Sequence, residues 1–142
     1  MKIRGSFEQA ICIMLMISAK NEPIKSHELS SRLDVSDSYL KKIIRQIVVH
    51  KLITSIASKK GGFILNKKTT DITFLDIFEA IEGKESFAQN TGLVEKVFAT
   101  KKEVREKEKM IMDYLNSAEK EYRNKLKEIT IHDVIKEGLI IT

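Results

Sequence analysis

Apolar residues recur at steps of three and four along the N-terminal part of the chain, which is the spacing that lines one side of a helix. One such stripe runs from Phe7 to Ser18, and a shorter one joins Leu29 to Leu33. The most regular stripe consists of Leu40, Ile43, Ile44, Ile47 and Val48. The pattern therefore predicts three consecutive amphipathic helices.

Residues that favour helix ends bracket these stripes. Ser6 with Gln9 matches a capping box for the first helix, and Ser26 and Ser36 precede the second and the third. The same signal predicts the starts of three later helices, at Thr73 with Asp76, Thr100 with Glu103 and Thr130 with Asp133. The helix that starts at Thr73 is expected to end at Gly83, and the one that starts at Thr130 is expected to end at Gly138. The long helix between them is expected to end near Leu126.

After the third helix the pattern changes to two short strands. Residues 52–57 and 63–66 form the strands, and the turn between them is Ser58-Lys59-Lys60-Gly61-Gly62. The paired glycines permit positive φ at a tight turn. The predicted fold is therefore mainly α with a small two-stranded β-wing, namely a winged helix-turn-helix followed by a long C-terminal dimerisation helix.

This order of elements predicts three regions. Residues 1–83 form the DNA-binding domain, residues 84–99 a connecting segment, and residues 100–142 the dimerisation helix with a short last helix. The long helix carries an apolar side that is expected to pair two copies of the chain. Its members are Val104, Ile111, Leu115, Ala118, Tyr122 and Leu126.

Charge is divided unevenly along the chain. Residues 1–68 carry a net charge of +8, whereas residues 69–142 carry −3. Lys41, Lys42 and Arg45 lie on the polar side of the third helix, and Lys59 and Lys60 lie in the predicted wing tip. A helix of this width fits the major groove of DNA, and a basic wing can reach the backbone beside it. Double-stranded DNA is therefore the expected partner, contacted by both elements, with Gly61 and Gly62 allowing close approach of the wing's main chain.

Other classes of function find little support. The single cysteine, Cys12, lies in an apolar run and is expected to be buried, and it excludes a disulfide within one chain. His27, His50 and His132 show no metal-ligand spacing, and no catalytic motif occurs, so no enzyme is expected. The apolar run is too short to span a bilayer. A cytoplasmic protein with no membrane partner is expected.

Four segments together resemble the Rrf2 family of winged-helix regulators, which includes the IscR, NsrR and CymR types. They are residues 36–44, the strand and wing residues 52–55 and 61–65, and residues 71–83, which read Asp-Ile-Thr-Phe-Leu-Asp-Ile-Phe-Glu-Ala-Ile-Glu-Gly. The resemblance is close over about residues 1–83 and continues loosely through the long helix, which in the family forms the dimer. It implies a transcription regulator, with repression as the expected action.

The resemblance also implies which residues touch DNA. On the third helix these are Ser38, Tyr39, Lys41 and Lys42; on the wing they are Lys59, Lys60 and Gly61. Independently of the resemblance, Ser36 just before the third helix is also expected to contact DNA. The chain departs from the family at Ala57-Ser58, where Arg-Gly is usual, and at Lys41-Lys42, where Glu-Gln is common. The base preference is therefore not expected to match that of its relatives.

A further departure concerns the cofactor. The best-known sensors of the family hold an iron–sulfur cluster with three cysteines between the fourth helix and the long helix, but residues 84–99 contain neither cysteine nor histidine. No cluster is expected, so a signal would arrive through a small molecule, a partner protein or, least favoured, oxidation of Cys12. The alternative function is a protein-interaction module on a winged-helix scaffold that does not bind DNA.

Overall fold

The computed structural model describes residues 5–136 and divides them into two compact units. The first unit contains residues 5–83 together with residues 126–136, and the second contains residues 84–125. The helices are α1 (Gly5–Ser18), α2 (Ser26–Leu33), α3 (Asp37–Val49), α4 (Phe74–Glu82), α5 (Lys101–Glu128) and α6 (Ile131–Ile135). The strands are β1 (Ile53–Ile56) and β2 (Gly62–Leu65), and short 3-10 turns occupy Thr69–Asp71 and Leu93–Lys96.

The core of the first unit is formed by the apolar sides of α1, α3 and α4. The predicted stripe of α3 is buried at Leu40, Ile43, Ile44 and Ile47. Phe7 of α1 packs edge-to-face on Phe78 of α4, with ring centroids 5.4 Å apart. Burying a leucine, isoleucine or phenylalanine side chain contributes about 1.5–3 kcal/mol to the stability of the fold. These helices therefore form a rigid base for α3 and for the sheet that follows it.

The two strands pair antiparallel, with Ile53 opposite Leu65 and Ile56 opposite Gly62. A third segment joins them, since Ile24 bridges to Phe63 through two backbone hydrogen bonds of 2.8 and 3.2 Å. The sequence pattern did not reveal this contact, because a single bridge leaves no alternation in the chain. It holds the residues that lead into α2 against β2.

Helix starts agree with the sequence in most places. Ser36 accepts a hydrogen bond from the amide of Tyr39, and complete capping boxes open α4 and α6. The amide of Glu103 donates to Thr100 Oγ1 at the start of α5. Gly83 ends α4 with φ of 80°, whereas Gly138 lies outside the described residues.

Two predicted caps are wrong. The first helix already includes Gly5, so Ser6 lies inside α1 rather than before it. Ser26 is the first residue of α2, whose N-cap is Lys25 without a side-chain capping bond. In both places the helix begins earlier than the serine indicated, because the remaining N–H groups of a first turn can be satisfied without a side-chain cap.

The last helix belongs to the first unit, whereas the sequence had grouped residues 126–136 with the dimerisation region. Residues 129–131 run beside residues 72–74: the amide of Phe74 donates to the carbonyl of Ile129 at 2.8 Å, and that of Ile131 to Ile72 at 3.0 Å. Ile131 is fully buried. These backbone bonds and the burial of Ile131 thus join distant parts of the chain within the first unit.

The second unit consists of the connecting segment and most of α5. None of the side chains described in α5 is buried, although the helix is about 40 Å long. Within residues 5–136 no helix is both long and apolar enough to cross a membrane.

Candidate nucleic-acid interface

Helix α3 separates its apolar and polar residues onto opposite sides. The side away from the core exposes every residue that the sequence proposed for this helix, namely Ser36, Ser38, Tyr39, Lys41, Lys42 and Arg45, although Ser36 stands just before the first turn. The ring of Tyr39 is 40% exposed despite its size. An exposed aromatic ring beside three cations is a surface that can meet bases and phosphates.

The start of α3 is fixed by two hydrogen-bonded groups. The hydroxyl of Ser36 accepts from the amide of Tyr39 at 3.3 Å and lies 3.4 Å from the hydroxyl of Ser38. Ser36 thus has a structural role as the cap of α3, and its contact with DNA stays a prediction.

A contact between Ser30 and Asp37 joins α2 to α3. Ser30 is buried, and its hydroxyl lies within hydrogen-bond distance of Asp37 Oδ1 and of the His27 carbonyl. Between the helices, Asp34 adopts a left-handed conformation with φ of 54°. The sequence pattern does not reveal this contact. The acidic residue in the first helical turn was the available signal, but its partner depends on how α2 packs.

The wing presents Lys59 and Lys60 at its tip, where both are exposed. The tip is held from outside the hairpin, because the ammonium group of Lys25 donates to the carbonyl of Lys59 at 2.9 Å. Lys25 therefore adds a third cation at this end of the unit. No local pattern predicts this contact, because Lys25 is 34 residues from its partner.

Both wing glycines are required by contacts within the chain. A Cβ on Gly61 would lie 2.0 Å from the carbonyl oxygen of Ile56, and one on Gly62 would lie 2.5 Å from the carbonyl oxygen of Ile24. Gly62 also has φ of 148°. These clashes explain the Gly-Gly pair, and Gly61 itself is buried. A role for Gly61 and Gly62 in approaching DNA stays a prediction.

The base of the wing is tied to the end of α3. Asn66 donates to the carbonyl of Lys51 at 2.9 Å and accepts from Thr54 Oγ1 at 3.0 Å. Lys51 lies beyond the end of α3 and has φ of 60°. Asn66 thus orients the wing relative to α3, a role that only the folded contacts reveal.

The apolar side of α5 divides into exposed and half-buried residues. Of the residues proposed for dimerisation, Ile111 and Leu115 are 45% and 49% exposed, and Ala118 is exposed as well. Val104, Tyr122 and Leu126 are half-buried within the chain, and Leu126 belongs to the first unit. Exposed apolar residues that the sequence analysis missed include Met110 and Tyr114.

Cys12 is half-buried, so its predicted full burial is wrong. Partial burial, with a smaller effect from the Glu8 carboxylate, raises the pKa of the Cys12 thiol. The thiol is therefore mainly protonated at neutral pH, and a protonated thiol is a poor nucleophile and metal ligand.

The connecting segment does not have the ligands of an iron–sulfur site. Residues 84–99 supply no thiolate or imidazole, and Cys12 lies in the other unit. Among residues 5–136, no three or more histidine, cysteine, aspartate or glutamate side chains are grouped so as to hold a metal ion. Because these clusters are held mainly by thiolates, the donor set does not fit one.

Comparison with known proteins gives consistent relatives. The sequence model of the family described as "Rrf2: Iron-dependent Transcriptional regulator" matches residues 3–137. The chain is 41% identical over 100 residues to YwgB of Bacillus subtilis (strain 168) and 42% identical over 97 residues to YffB of Lactococcus lactis, both assigned as HTH-type transcriptional regulators. These matches cover 69% and 67% of this chain, but only 64% and 62% of the relatives' own lengths.

Solved structures confirm the predicted fold class. The structure of CymR (YrzC), the global cysteine regulator of B. subtilis, matches with a TM-score of 0.68 and 20% identity, covering 94% of this chain and 95% of that one. IscR of T. potens matches with a TM-score of 0.62 and 20% identity, covering 100% and 94%. At this identity the likeness concerns the fold, a winged helix-turn-helix with a long C-terminal helix.

Proposed function

The chain belongs to the Rrf2 family of transcriptional regulators, and we propose that it acts in the cytoplasm as a homodimeric repressor that binds a palindromic operator without an iron–sulfur cluster. The observation that carries this proposal is the exposed side of α3, on which Tyr39, Lys41, Lys42 and Arg45 face away from a fully apolar core side. The N-terminal residues of a recognition helix are those that reach base edges. Ser38, Tyr39 and Lys41 are therefore the proposed base-reading residues.

The wing is proposed to contact the DNA backbone. Lys59 and Lys60 are exposed at its tip, and flexible ammonium groups suit phosphate contacts. The net charge of +8 over residues 1–68 favours the same partner. A protein-interaction module would instead need an apolar surface on α3 and the wing, and the exposed side of α3 is mostly polar and basic.

Replacing Lys59 and Lys60 together by alanine is expected to weaken the salt dependence of DNA binding. Each neutralised phosphate contributes about 0.9 to the slope of log K against log salt, so losing two lysines in each protomer of a dimer flattens the slope by up to about 3.6. The measurement is fluorescence anisotropy with duplex DNA across a salt series.

The matched control is Lys101→Ala with Lys102→Ala, which removes the same charge from exposed positions at the start of α5. An unchanged slope in the wing variant would remove the wing from the interface. If the wild-type protein binds no DNA at low salt, the interaction-module function gains support instead.

Dimerisation is proposed to occur through α5. Ile111 and Leu115 remain about half exposed although they lie one turn apart on one helix side, and exposed apolar patches of this kind mark interaction surfaces. Two-fold pairing would place the two recognition helices on half-sites about one DNA turn apart, which is why a palindromic operator is proposed.

The protein is expected to bind its operator without iron. Purified anaerobically, it should be colourless, contain no stoichiometric iron or sulfide, and bind operator DNA with unchanged affinity after treatment with an iron chelator. The physical reason is the absence of thiolate ligands in residues 84–99. A brown protein with stoichiometric iron would contradict this proposal. The proposed signal is then a small molecule or a partner protein, with oxidation of Cys12 as the least favoured alternative.

A further inference from the structure

The chain passes between its two units twice, once after Gly83 and once before Leu126. The residues of the second unit that lie next to these passages are 85–87 at one end and 119–123 at the other. They contact each other although more than thirty residues separate them. We call this group of contacts, formed by Glu85, Phe87, Glu119, Tyr122 and Arg123, the neck clamp.

Three hydrogen bonds hold the neck clamp. Arg123 Nε donates to Glu119 Oε2 at 2.9 Å, and Arg123 Nη2 donates to the carbonyl of Glu85 at 3.0 Å. The second carboxylate oxygen of Glu119 accepts from the amide of Phe87 at 2.6 Å. Arg123 and Glu119 therefore both bond within α5 and to the connecting segment.

Aromatic packing completes the clamp and shields it. The guanidinium carbon of Arg123 lies 5.0 Å from the centroid of the Phe87 ring, and Tyr122 packs edge-to-face on the same ring at 5.8 Å. The side chains of Arg123 and Glu119 are only 15% and 12% exposed. Partial removal from water strengthens the ion pair and its hydrogen bonds, and a planar guanidinium can donate and stack at the same time.

Another ion pair of α5 shows how different this arrangement is. Lys109 and Asp113 have the same spacing along the helix, but their side chains are 79% and 61% exposed, and they reach nothing outside the helix in the hydrogen bonds described. Exposed pairs of this kind contribute little to stability. The two pairs therefore form a matched comparison within one helix.

We propose that Glu119 and Arg123 are positioning residues for DNA binding, which hold residues 85–87 against α5 at both chain passages and so set the half-site spacing that the dimer accepts. The proposal rests on the proposed dimeric, DNA-binding function. The basis of the proposal is the position of the neck clamp, whose residues lie next to both passages of the chain between the two units. Loosening it releases residues 85–87 from α5, which itself continues as a helix to Glu128.

The ionisation of Glu119 agrees with a clamp that is closed at neutral pH. The hydrogen bond from the Phe87 amide, supported by Arg123, lowers the pKa of the Glu119 carboxyl. A lowered folded-state pKa means that the bond stabilises the structure above the ordinary glutamate range and is lost as the pH falls through the lowered value.

The test compares spacing preference among full-length variants. Affinities are measured for a selected palindromic operator, for a derivative with the half-sites moved apart by about half a turn, or about five base pairs, and for a single half-site. Arg123→Met is expected to reduce the preference for correct spacing by about tenfold. Its half-site affinity and its dimeric state in sedimentation are expected to stay unchanged. Lys109→Met, the matched control, is expected to behave as wild type.

A graded series separates positioning from folding. Arg123→Lys keeps the charge but loses the forked donor, and Glu119→Gln keeps one oxygen to accept from Phe87, so each is expected to lose part of the spacing preference. The Phe87 amide resonance and its hydrogen exchange report clamp opening in each variant. If Arg123→Met does not fold, these two variants decide the question.

Retention of wild-type spacing preference in variants whose Phe87 amide exchanges faster would overturn the clamp proposal. That outcome differs from failure of the proposed function, in which the wild-type protein itself binds no DNA or shows no dependence on spacing.

Discussion

Replacing Ile111 and Leu115 together by aspartate is expected to produce monomers and to lower affinity for a two-half-site operator by at least about a hundredfold, because linking two binding modules raises avidity by about that factor or more. Both side chains are about half exposed, and no side chain described in α5 is buried. The substitutions therefore remove apolar contact area from a partner without opening a cavity in the core. Two like charges facing their copies across a two-fold axis add repulsion.

Sedimentation velocity at micromolar concentration measures the first effect, and operator titration measures the second. Asn116→Asp with Ser117→Asp adds the same charge at exposed neighbouring positions of α5 and is expected to stay dimeric. Circular dichroism should show equal helix content in all three proteins. A wild-type protein that sediments as a monomer would contradict the dimer proposal directly.

Substituting Gly61 by alanine is expected to destroy the native wing turn. The added Cβ would lie 2.0 Å from the Ile56 carbonyl oxygen and 2.8 Å from backbone atoms of Ser58. Because these neighbours are backbone atoms, no side-chain rotation relieves the clash. Overpacking of this kind costs about 1–3 kcal/mol. With the tip carrying Lys59 and Lys60 displaced, DNA affinity should fall by at least about tenfold, since two lost charge contacts are each worth about 1 kcal/mol or more.

Thermal unfolding and DNA titration together check this result. Gly5→Ala is the control, because a Cβ there meets nothing within 4 Å. A Gly61→Ala protein with a distorted hairpin but unchanged DNA affinity would show that the wing is not part of the interface. A Gly61→Ala protein with wild-type stability would show that the turn has an alternative conformation.

The sequence identified the elements whose signals are local. The stripe from Leu40 to Ile47 predicted α3 and its buried side, because burial on one side of a helix must repeat with the helical period. Ser36 and Thr73 predicted helix starts, because their hydroxyls bond amides only three residues away. A serine can stand either before a helix or within its first turn, so it is a weaker signal. The two helix starts predicted from Ser6 and Ser26 are accordingly wrong.

The sequence by itself also determined which residues could meet DNA, since the polar side of an amphipathic helix follows once its buried side is known. Only the tertiary structure decided what holds that surface in place. Lys25 at the wing tip, Asn66 at its base, the pairing of residues 72–74 with 129–131 and the neck clamp all join positions far apart in the chain. Such contacts join groups that are far apart in the chain, so they leave no periodicity or spacing in the sequence and exist only after the helices have packed.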